Sequence, residues 1–311
     1  MLPPTPRRKF LTSVLAAGAG IGLSEILSVP ALARTAAATI TPSRLTNHLV
    51  VFSGAGANVL AAHGTEGLLL VDGGLAEHSG DLLDAVYKET KANKVQTLIN
   101  THWHPEQTGS NERLGKAGTK IIAHENTKLW LTYPQTEPGH DKPWGPLPAK
   151  ALPNETTYSN GKLTFAGEEV TYGYLLQAHT DGDLYVYFPT SNVLFTGGVV
   201  SNEGWPVIDF QTGGWMGGLV DGLRVLEGVA NDKTQIVPAN GPVMTKADLQ
   251  AQRTMYQTIS QRLNQALRKG VGADEIASLA PTKEYDAKWG DPKQFVDLAF
   301  RSLWGHMAPD A

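Results

Sequence analysis

Short apolar runs alternate with segments of helical spacing along most of the chain. Strand-like runs are predicted at 49–53, 57–62, 68–72, 95–100, 121–123, 163–165, 170–176, 184–188, 193–196 and 234–237. Apolar residues at helical spacing predict helices over 81–91, 111–116, 125–131, 220–229, 246–269, 273–279 and 292–304. Residues 134–153 contain six prolines and are predicted to form a long loop. Strands grouped toward each end, with helices between them, predict two sheets covered by helices in a four-layer α/β architecture.

The N-terminal segment has the composition of an export signal. A basic start with the residues R-R-K-F-L at 7–11 precedes a short apolar stretch, and V-P-A-L-A at 29–33 resembles a cleavage site. The paired arginines are typical of the twin-arginine signal of bacteria. We therefore expect 1–33 to be a signal peptide that engages the twin-arginine export machinery transiently, and the mature protein to be periplasmic.

Composition excludes several classes of partner and of chemistry. The 26 basic and 30 acidic residues leave a net charge of −4, which argues against a nucleic-acid partner. No stretch approaches the roughly 18–20 unbroken apolar residues of a spanning helix, so no stable membrane insertion is expected. The chain has no cysteine, which removes disulfides, thiolate metal sites and cysteine nucleophiles.

Three histidines follow predicted strands and are candidate metal ligands. His102 and His104 lie two residues apart directly after the strand at 95–100, and His179 follows the strand at 170–176. An H-x-H pair alone is a weak signal, but a third histidine in an equivalent position strengthens it. Three imidazoles with a free fourth position form a catalytic rather than a structural zinc site. His124 begins a predicted helix, and a role as a cap or in packing is favoured over one as a ligand.

Further motifs occur in an order that resembles the metallo-β-lactamase-fold hydrolases. The H-x-H-x-E-Q segment at 102–107 precedes H-T-D-G-D at 179–183, then L-F-T-G-G at 194–198 and P-A-N-G at 238–241. The resemblance implies an αβ/βα sandwich over about 40–245 with a metal site between two sheets. Residues 246–311 would form a C-terminal helical extension. It also implies that Asp72 supports the metal-site loops, although a simple turn cap at that position is equally compatible with the sequence.

Departures from that family's pattern fall on its second metal site. The family has Asp and His where this chain has Glu106 and Gln107, and His where it has Asn240. The family's bridging Asp is replaced by Gly198, which has no ligand atom in its side chain. The resemblance therefore implies one divalent metal, zinc, bound by His102, His104 and His179. Gln107, Asn240 and Asp72 remain candidates for the second site or for support of the first.

Two functions follow from this arrangement, and a third is weaker. In the first, the metal activates water to hydrolyse a small-molecule substrate, with Glu106 orienting the water or moving its proton. In the second, the chain is a catalytically degenerate periplasmic protein that binds a ligand or a metal. An oxidoreductase with mononuclear iron also occurs on this fold, but Gly198 removes the carboxylate that it usually needs.

The export hypothesis makes a direct prediction. Replacing Arg7 and Arg8 by lysine is expected to leave precursor in the cytoplasm, because the export receptor reads the arginine pair. Cell fractionation with immunoblotting measures this. Unchanged yield of processed protein in the periplasm would contradict a twin-arginine route.

Overall fold

Two β-sheets lie at the centre of the protein. The computed structural model describes residues 38–307, so the predicted signal peptide lies outside the described residues. The first sheet has seven strands in chain order: β1 (Thr41–Arg44), β2 (Leu49–Ser53), β3 (Val59–Gly64), β4 (Gly67–Val71), β5 (Val95–Ile99), β6 (Lys120–His124) and β7 (Glu155–Thr157). The second has the order β12-β11-β10-β9-β8, with strands β8 (Gly161–Phe165), β9 (Glu168–Tyr174), β10 (Leu184–Phe188), β11 (Val193–Phe195) and β12 (Gln235–Val237).

Helices cover the outer face of each sheet. In chain order, the helices of residues 38–307 are α1 (Ser79–Thr90), α2 (Pro105–Thr108), α3 (Asn111–Lys116), α4 (Glu125–Trp130), α5 (Met216–Val229), α6 (Lys246–Arg268), α7 (Ala273–Ile276), α8 (Asp286–Trp289) and α9 (Lys293–Met307). Within residues 38–307, none of them has the length and apolar character needed to cross a bilayer.

The alternating direction of side chains along the strands of the first sheet explains why helices pack on one face of that sheet and the second sheet packs on the other. In β2, Leu49 and Val51 point toward the second sheet, where they pack with side chains such as Val186. Val50 and Phe52 point the other way and pack in the cluster that contains the apolar face of α1. Successive side chains of a strand point to opposite faces, so a strand apolar throughout is buried on both. The predicted four-layer α/β sandwich is confirmed.

The outer face of the second sheet is covered by the C-terminal part of the chain. Apolar side chains of α5, α6 and α9 form one cluster with residues of β11 and β12, such as Leu194 and Ile236. A capping box between Thr245 and Asp248 begins α6. The segment predicted as a C-terminal extension thus supplies much of this layer.

Most of the helices and strands predicted from the sequence are present in the structure. The elements that were not predicted lack a regular pattern of apolar residues. Strand β1 is a fully exposed T-P-S-R segment that is ordered by pairing with β2. Helix α2 is a single turn directly after His104. The predicted loop at 134–153 is confirmed, with only an isolated bridge between Gln135 and Trp144 and one short helical turn at Ala149–Ala151.

Parallel pairing brings the candidate residues to one edge of the sandwich. Strands β4, β5 and β6 are parallel neighbours, so the loops after them leave the same edge of the sheet. The loops after β9, β11 and β12 contribute His179, Gly198 and Asn240 to the same cleft. Carboxyl ends of parallel strands are a common position for ligand sites in α/β proteins.

A matched pair of glycines tests the packing of α3. A Cβ at Gly115 would lie 1.6 Å from the carbonyl oxygen of Lys150, whereas one at Gly228 in α5 would meet no atom within 4 Å. Gly115→Ala is expected to destabilise the protein by about 1–3 kcal/mol through overpacking. Gly228→Ala is expected to stabilise it by up to about 1 kcal/mol, because alanine loses less backbone entropy in a helix. Urea unfolding measures both. Similar changes in the two variants would contradict the close approach at Gly115.

Candidate metal centre

Three buried histidines converge at the edge of the sandwich. His102 and His104 lie in the turn after β5, and His179 lies in the turn after β9. Their side chains are 1%, 2% and 4% exposed, and the three ring centroids are 4.6–4.8 Å apart in edge-to-face orientations. One nitrogen of each ring lies within 4.8 Å of a nitrogen of the other two. The structure therefore brings together the three residues that the sequence singled out as ligands.

A buried carboxylate fixes the orientation of His102 through a threonine. Asp72 accepts hydrogen bonds from the Thr101 backbone N–H at 2.7 Å and from its hydroxyl at 2.8 Å. The hydroxyl proton is thereby engaged, so Thr101 Oγ1 accepts from Nδ1 of His102 at 3.0 Å. That tautomer leaves the lone pair on Nε2. Asp72 does not line the cleft, so the structure places it behind the histidines as a support.

A second carboxylate orients His104, and sequence reasoning missed it. Asp209 Oδ2 lies 3.1 Å from Nε2 of His104 and accepts a 2.5 Å hydrogen bond from the Thr212 hydroxyl. Thr212 in turn accepts from the indole N–H of Trp103 at 3.1 Å. With Nε2 donating to Asp209, Nδ1 of His104 carries the lone pair. Asp209 follows no predicted strand and belongs to no motif, so its role is visible only in the fold.

Burial favours the neutral form of two of the imidazoles. Burial, together with the neighbouring histidines, lowers the pKa of His102 and of His104 well below the usual value. Burial also raises the pKa of Asp72 to about 8, and the hydrogen bonds from Thr101 oppose that rise. A neutral imidazole has a free lone pair and needs no deprotonation before it binds a metal.

The His179 turn is held by an aspartate four residues later. Asp183 accepts from the backbone N–H groups of His179 at 2.6 Å and of Thr180 at 2.8 Å. Among residues 38–307, Nδ1 of His179 has no hydrogen-bond partner, although it is buried. Nδ1 of His179 lies 3.5 Å from Asp183 Oδ1. Three convergent imidazoles, two of them of fixed tautomer, fit a divalent metal of the zinc type.

Glycine at 198 allows the rings of two histidines to pack closely against the backbone. A Cβ at this position would lie 2.6 Å from Cε1 and Nδ1 of His179 and 2.9 Å from Cε1 of His102. The rings therefore occupy the space that a side chain would need. No carboxylate can enter from this position without displacing them.

The remaining predicted residues lie around the same cleft, at different depths. Glu106 and Gln107 lie on α2 and line the cleft, and so does the exposed Asn240. Gln107 is buried, and its Oε1 has no partner among the described residues. His124 lies outside this group, since it caps α4 through Asn126 N–H and stacks on Tyr174, as predicted from its position.

Two further residues enter the site from the proline-rich loop, and no sequence motif marked either of them. Glu137 is 7% exposed, with Oε1 3.3 Å from Nδ1 of His104. His140 is half-exposed and lies 3.6 Å from Glu106 Oε1 and 3.8 Å from Glu137 Oε2. Burial and the nearby charge of Glu106 raise the pKa of Glu137 well above the usual value. Trp144 anchors the loop by donating to the Thr108 hydroxyl at 2.8 Å.

The cleft above the histidines is small and has one apolar wall. Its volume is about 140 Å³, and the apolar wall consists of Trp205, Pro206 and Val207. Trp205 stacks on Phe295 of α9 and donates its indole N–H to the carbonyl of Gly290. The C-terminal helices therefore support one wall of the cleft.

Comparison with known protein families shows which family the chain belongs to. The family model described as "Metallo-beta-lactamase superfamily" matches residues 54–241, more than half of the chain. The chain belongs to the metallo-beta-lactamase superfamily. The matched region contains all three histidines and the four motifs in which the resemblance was found.

Solved structures of this superfamily share the fold at low identity. A metallo-beta-lactamase from Pontibacter korlensis is 19% identical, with a TM-score of 0.58 over 70% of this chain and 99% of that chain. The metallo-beta-lactamase DIM-1 is 15% identical, with a TM-score of 0.57 over 70% and 97%. The inverting sec-alkylsulfatase Pisa1 from Pseudomonas sp. is 15% identical, with a TM-score of 0.63 over 88% of this chain and 51% of that chain. At sequence identities of 15–19%, these comparisons show a shared fold and nothing finer.

The support of His104 by Asp209 can be tested through metal affinity. Asp209→Asn is expected to weaken zinc binding by about 10–100-fold, because the amide no longer holds the imidazole tautomer that directs Nδ1 into the site. Competition with a chromophoric zinc chelator measures the affinity. Asp221→Asn, at an exposed aspartate on α5, serves as the control. Equal affinities for both variants and the wild type would show that Asp209 does not orient a ligand.

Proposed function

We propose that this protein is a metal-dependent hydrolase in which His102, His104 and His179 hold a single catalytic zinc ion. The observation that carries the proposal is the convergence of three buried imidazoles, two with assigned tautomers, on one cleft. A divalent metal in such a site lowers the pKa of bound water and polarises a carbonyl, phosphoryl or sulfuryl oxygen. The second metal of the superfamily's pattern is not part of this proposal, since Gly198 and Asn240 replace two of its ligands.

Glu106 is the residue that we assign to proton movement. It lies two positions after His104 at the start of α2, lines the cleft and has a partly exposed carboxylate. A carboxylate next to the attacking water orients it and accepts its proton, and general acid–base contributions of this kind amount to roughly 10²–10⁴-fold in rate. Asp72 and Asp209 serve by holding the imidazoles.

The walls of the cleft favour a substrate with an apolar part. Trp205, Pro206 and Val207 offer apolar surface beside the histidines, while Glu203 and Ser201 lie on the same rim. The substrate classes to test are esters, thioesters, lactones, β-lactams and phosphodiesters. Secondary alkyl sulfates join them because one neighbour in fold acts on sulfate esters. We also propose that the mature protein acts in the periplasm, on the strength of its N-terminal sequence.

The competing function is a non-catalytic binding protein. It is supported by the loss of the bridging carboxylate at Gly198 and of the histidine at Asn240. It predicts a bound ligand or metal without turnover.

Substitution of Glu106 separates these functions. In zinc-loaded protein, Glu106→Gln is expected to retain the fold and one equivalent of zinc while kcat falls by about 10²–10⁴-fold. His179→Ala is expected to lose the zinc itself. Metal analysis by mass spectrometry and initial rates across the substrate panel provide the readouts, with the exposed Glu112→Gln as the matched control. Full activity in Glu106→Gln removes that residue from the mechanism. Absence of turnover with zinc, manganese and iron across the panel favours the binding protein.

A further inference from the structure

The cleft above the histidines is lined by acidic side chains and not by basic ones. Glu106, Glu137 and Glu203 line it, and among residues 38–307 no lysine or arginine does. Even where Glu137 is protonated, two carboxylates from separate parts of the chain remain. A cleft lined by one sign of charge attracts ligands of the opposite sign and repels those of the same sign. The part of a ligand that lies away from the histidines therefore meets negative charge.

A carboxylate and an aromatic ring lie two residues apart on the rim of the cleft. The hydroxyl of Ser201 donates to the carbonyl of Glu203 at 2.8 Å and accepts from its backbone N–H at 3.3 Å, which fixes the backbone there. The ring of Trp205 is held by Phe295, with centroids 4.6 Å apart and planes at 14°. A carboxylate accepts the N–H groups of an ammonium ion, and an indole ring attracts its positive charge.

The side-chain donors beside Glu203 are already engaged within the protein. The indole N–H of Trp205 donates to a backbone carbonyl at 3.1 Å, and the hydroxyl of Ser201 donates to another at 2.8 Å. In the orientation that its neighbours require, the amide nitrogen of Asn240 donates to two further backbone carbonyls, at 3.2 and 3.3 Å. These three side chains therefore offer no free donor to an anionic substituent.

Elsewhere in the cleft, two buried oxygens have no donor. Glu137 is 7% exposed and its Oε2 has no hydrogen-bond partner within the described part of the chain, and the same holds for Oε1 of Gln107, which is 4% exposed. Both residues line the cleft. Buried acceptors are normally paired, so a ligand that brings N–H donors suits this lining and a ligand that brings further acceptors does not.

We propose that the cleft selects substrates that carry an ammonium group away from the bond to be hydrolysed, and that Glu203 and the ring of Trp205 bind this group. The inference rests on the hydrolase function proposed above and narrows its substrates to esters, thioesters or lactones with a cationic substituent. A zinc ion adds positive charge at the histidine end of the cleft. The selection therefore acts on the non-reacting part of the substrate.

Three ethyl esters that differ in one terminal group test this selection. Ethyl 3-aminopropanoate, ethyl butanoate and monoethyl succinate end in an ammonium, a methyl and a carboxylate group, and a longer set consists of ethyl 6-aminohexanoate, ethyl heptanoate and monoethyl pimelate. Ethanol release by zinc-loaded protein is measured at neutral pH and fixed ionic strength. In at least one set, we expect kcat/KM for the ammonium ester to exceed that for the methyl ester by roughly tenfold or more, with the carboxylate ester the poorest.

Substitutions on the rim assign the selection to residues. Glu203→Gln is expected to raise KM for the ammonium ester by roughly tenfold relative to KM for the methyl ester, because binding that is equal in the ground and transition states appears in KM. Trp205→Leu keeps an apolar wall and is expected to reduce the same preference. Glu203 is exposed, so its substitution does not threaten the fold. The matched control is Glu275→Gln, at an exposed position on α7 that does not line the cleft.

Binding of n-butylammonium separates this inference from the proposed hydrolysis, because it needs no turnover. Ligand-observed NMR compares it with n-butanesulfonate on zinc-loaded wild type, Glu203→Gln and Glu275→Gln. Weaker n-butylammonium binding in Glu203→Gln alone supports the ammonium site even if no ester is hydrolysed, a result that would count against the hydrolase. Hydrolysis with equal kcat/KM for the three esters of both sets would overturn the selectivity and leave the hydrolase intact. Absence of n-butylammonium binding to the wild type, or equal binding in all three proteins, would overturn the ammonium site.

Discussion

The candidate site depends on hydrogen bonds from two aspartates that do not line the cleft. Asp72 holds His102 through Thr101, and Asp209 holds His104 directly. Each bond places a proton on the nitrogen that faces the protein and leaves the lone pair on the other. These two buried carboxylates therefore determine where the lone pairs of His102 and His104 point. The histidines and these supporting groups can meet because the two-sheet architecture brings loops from both sheets to one edge of the sandwich.

The periodicity of apolar residues in the sequence could predict the layers of sheet and helix, because it reflects which side chains are buried in the fold. Strands β2 to β6 of the first sheet carry apolar residues on both faces, and the long helix α6 carries its apolar residues at helical spacing. The three histidines were recognisable because each follows a predicted strand. Strand β1 was not, since it is polar and exposed and is ordered only by its hydrogen bonds to β2.

Residues that contact the site from distant positions in the sequence could not be predicted from periodicity. Asp209 is 105 positions from His104, and Glu137 is 33 positions from it, in a loop whose prolines report only the absence of regular structure. Their contacts arise from tertiary packing and leave no local pattern. Substitutions at 106 and 107 were visible in the motif, but the residues that approach them became apparent only in the structure.

Gly198 has a consequence for how such a site can change during evolution. Its missing Cβ is the space in which the rings of His102 and His179 lie. Any side chain introduced at this position by a single mutation would meet both imidazoles, so the two rings would have to shift to admit it. A substitution at 198 would therefore also alter the packing of two candidate metal ligands.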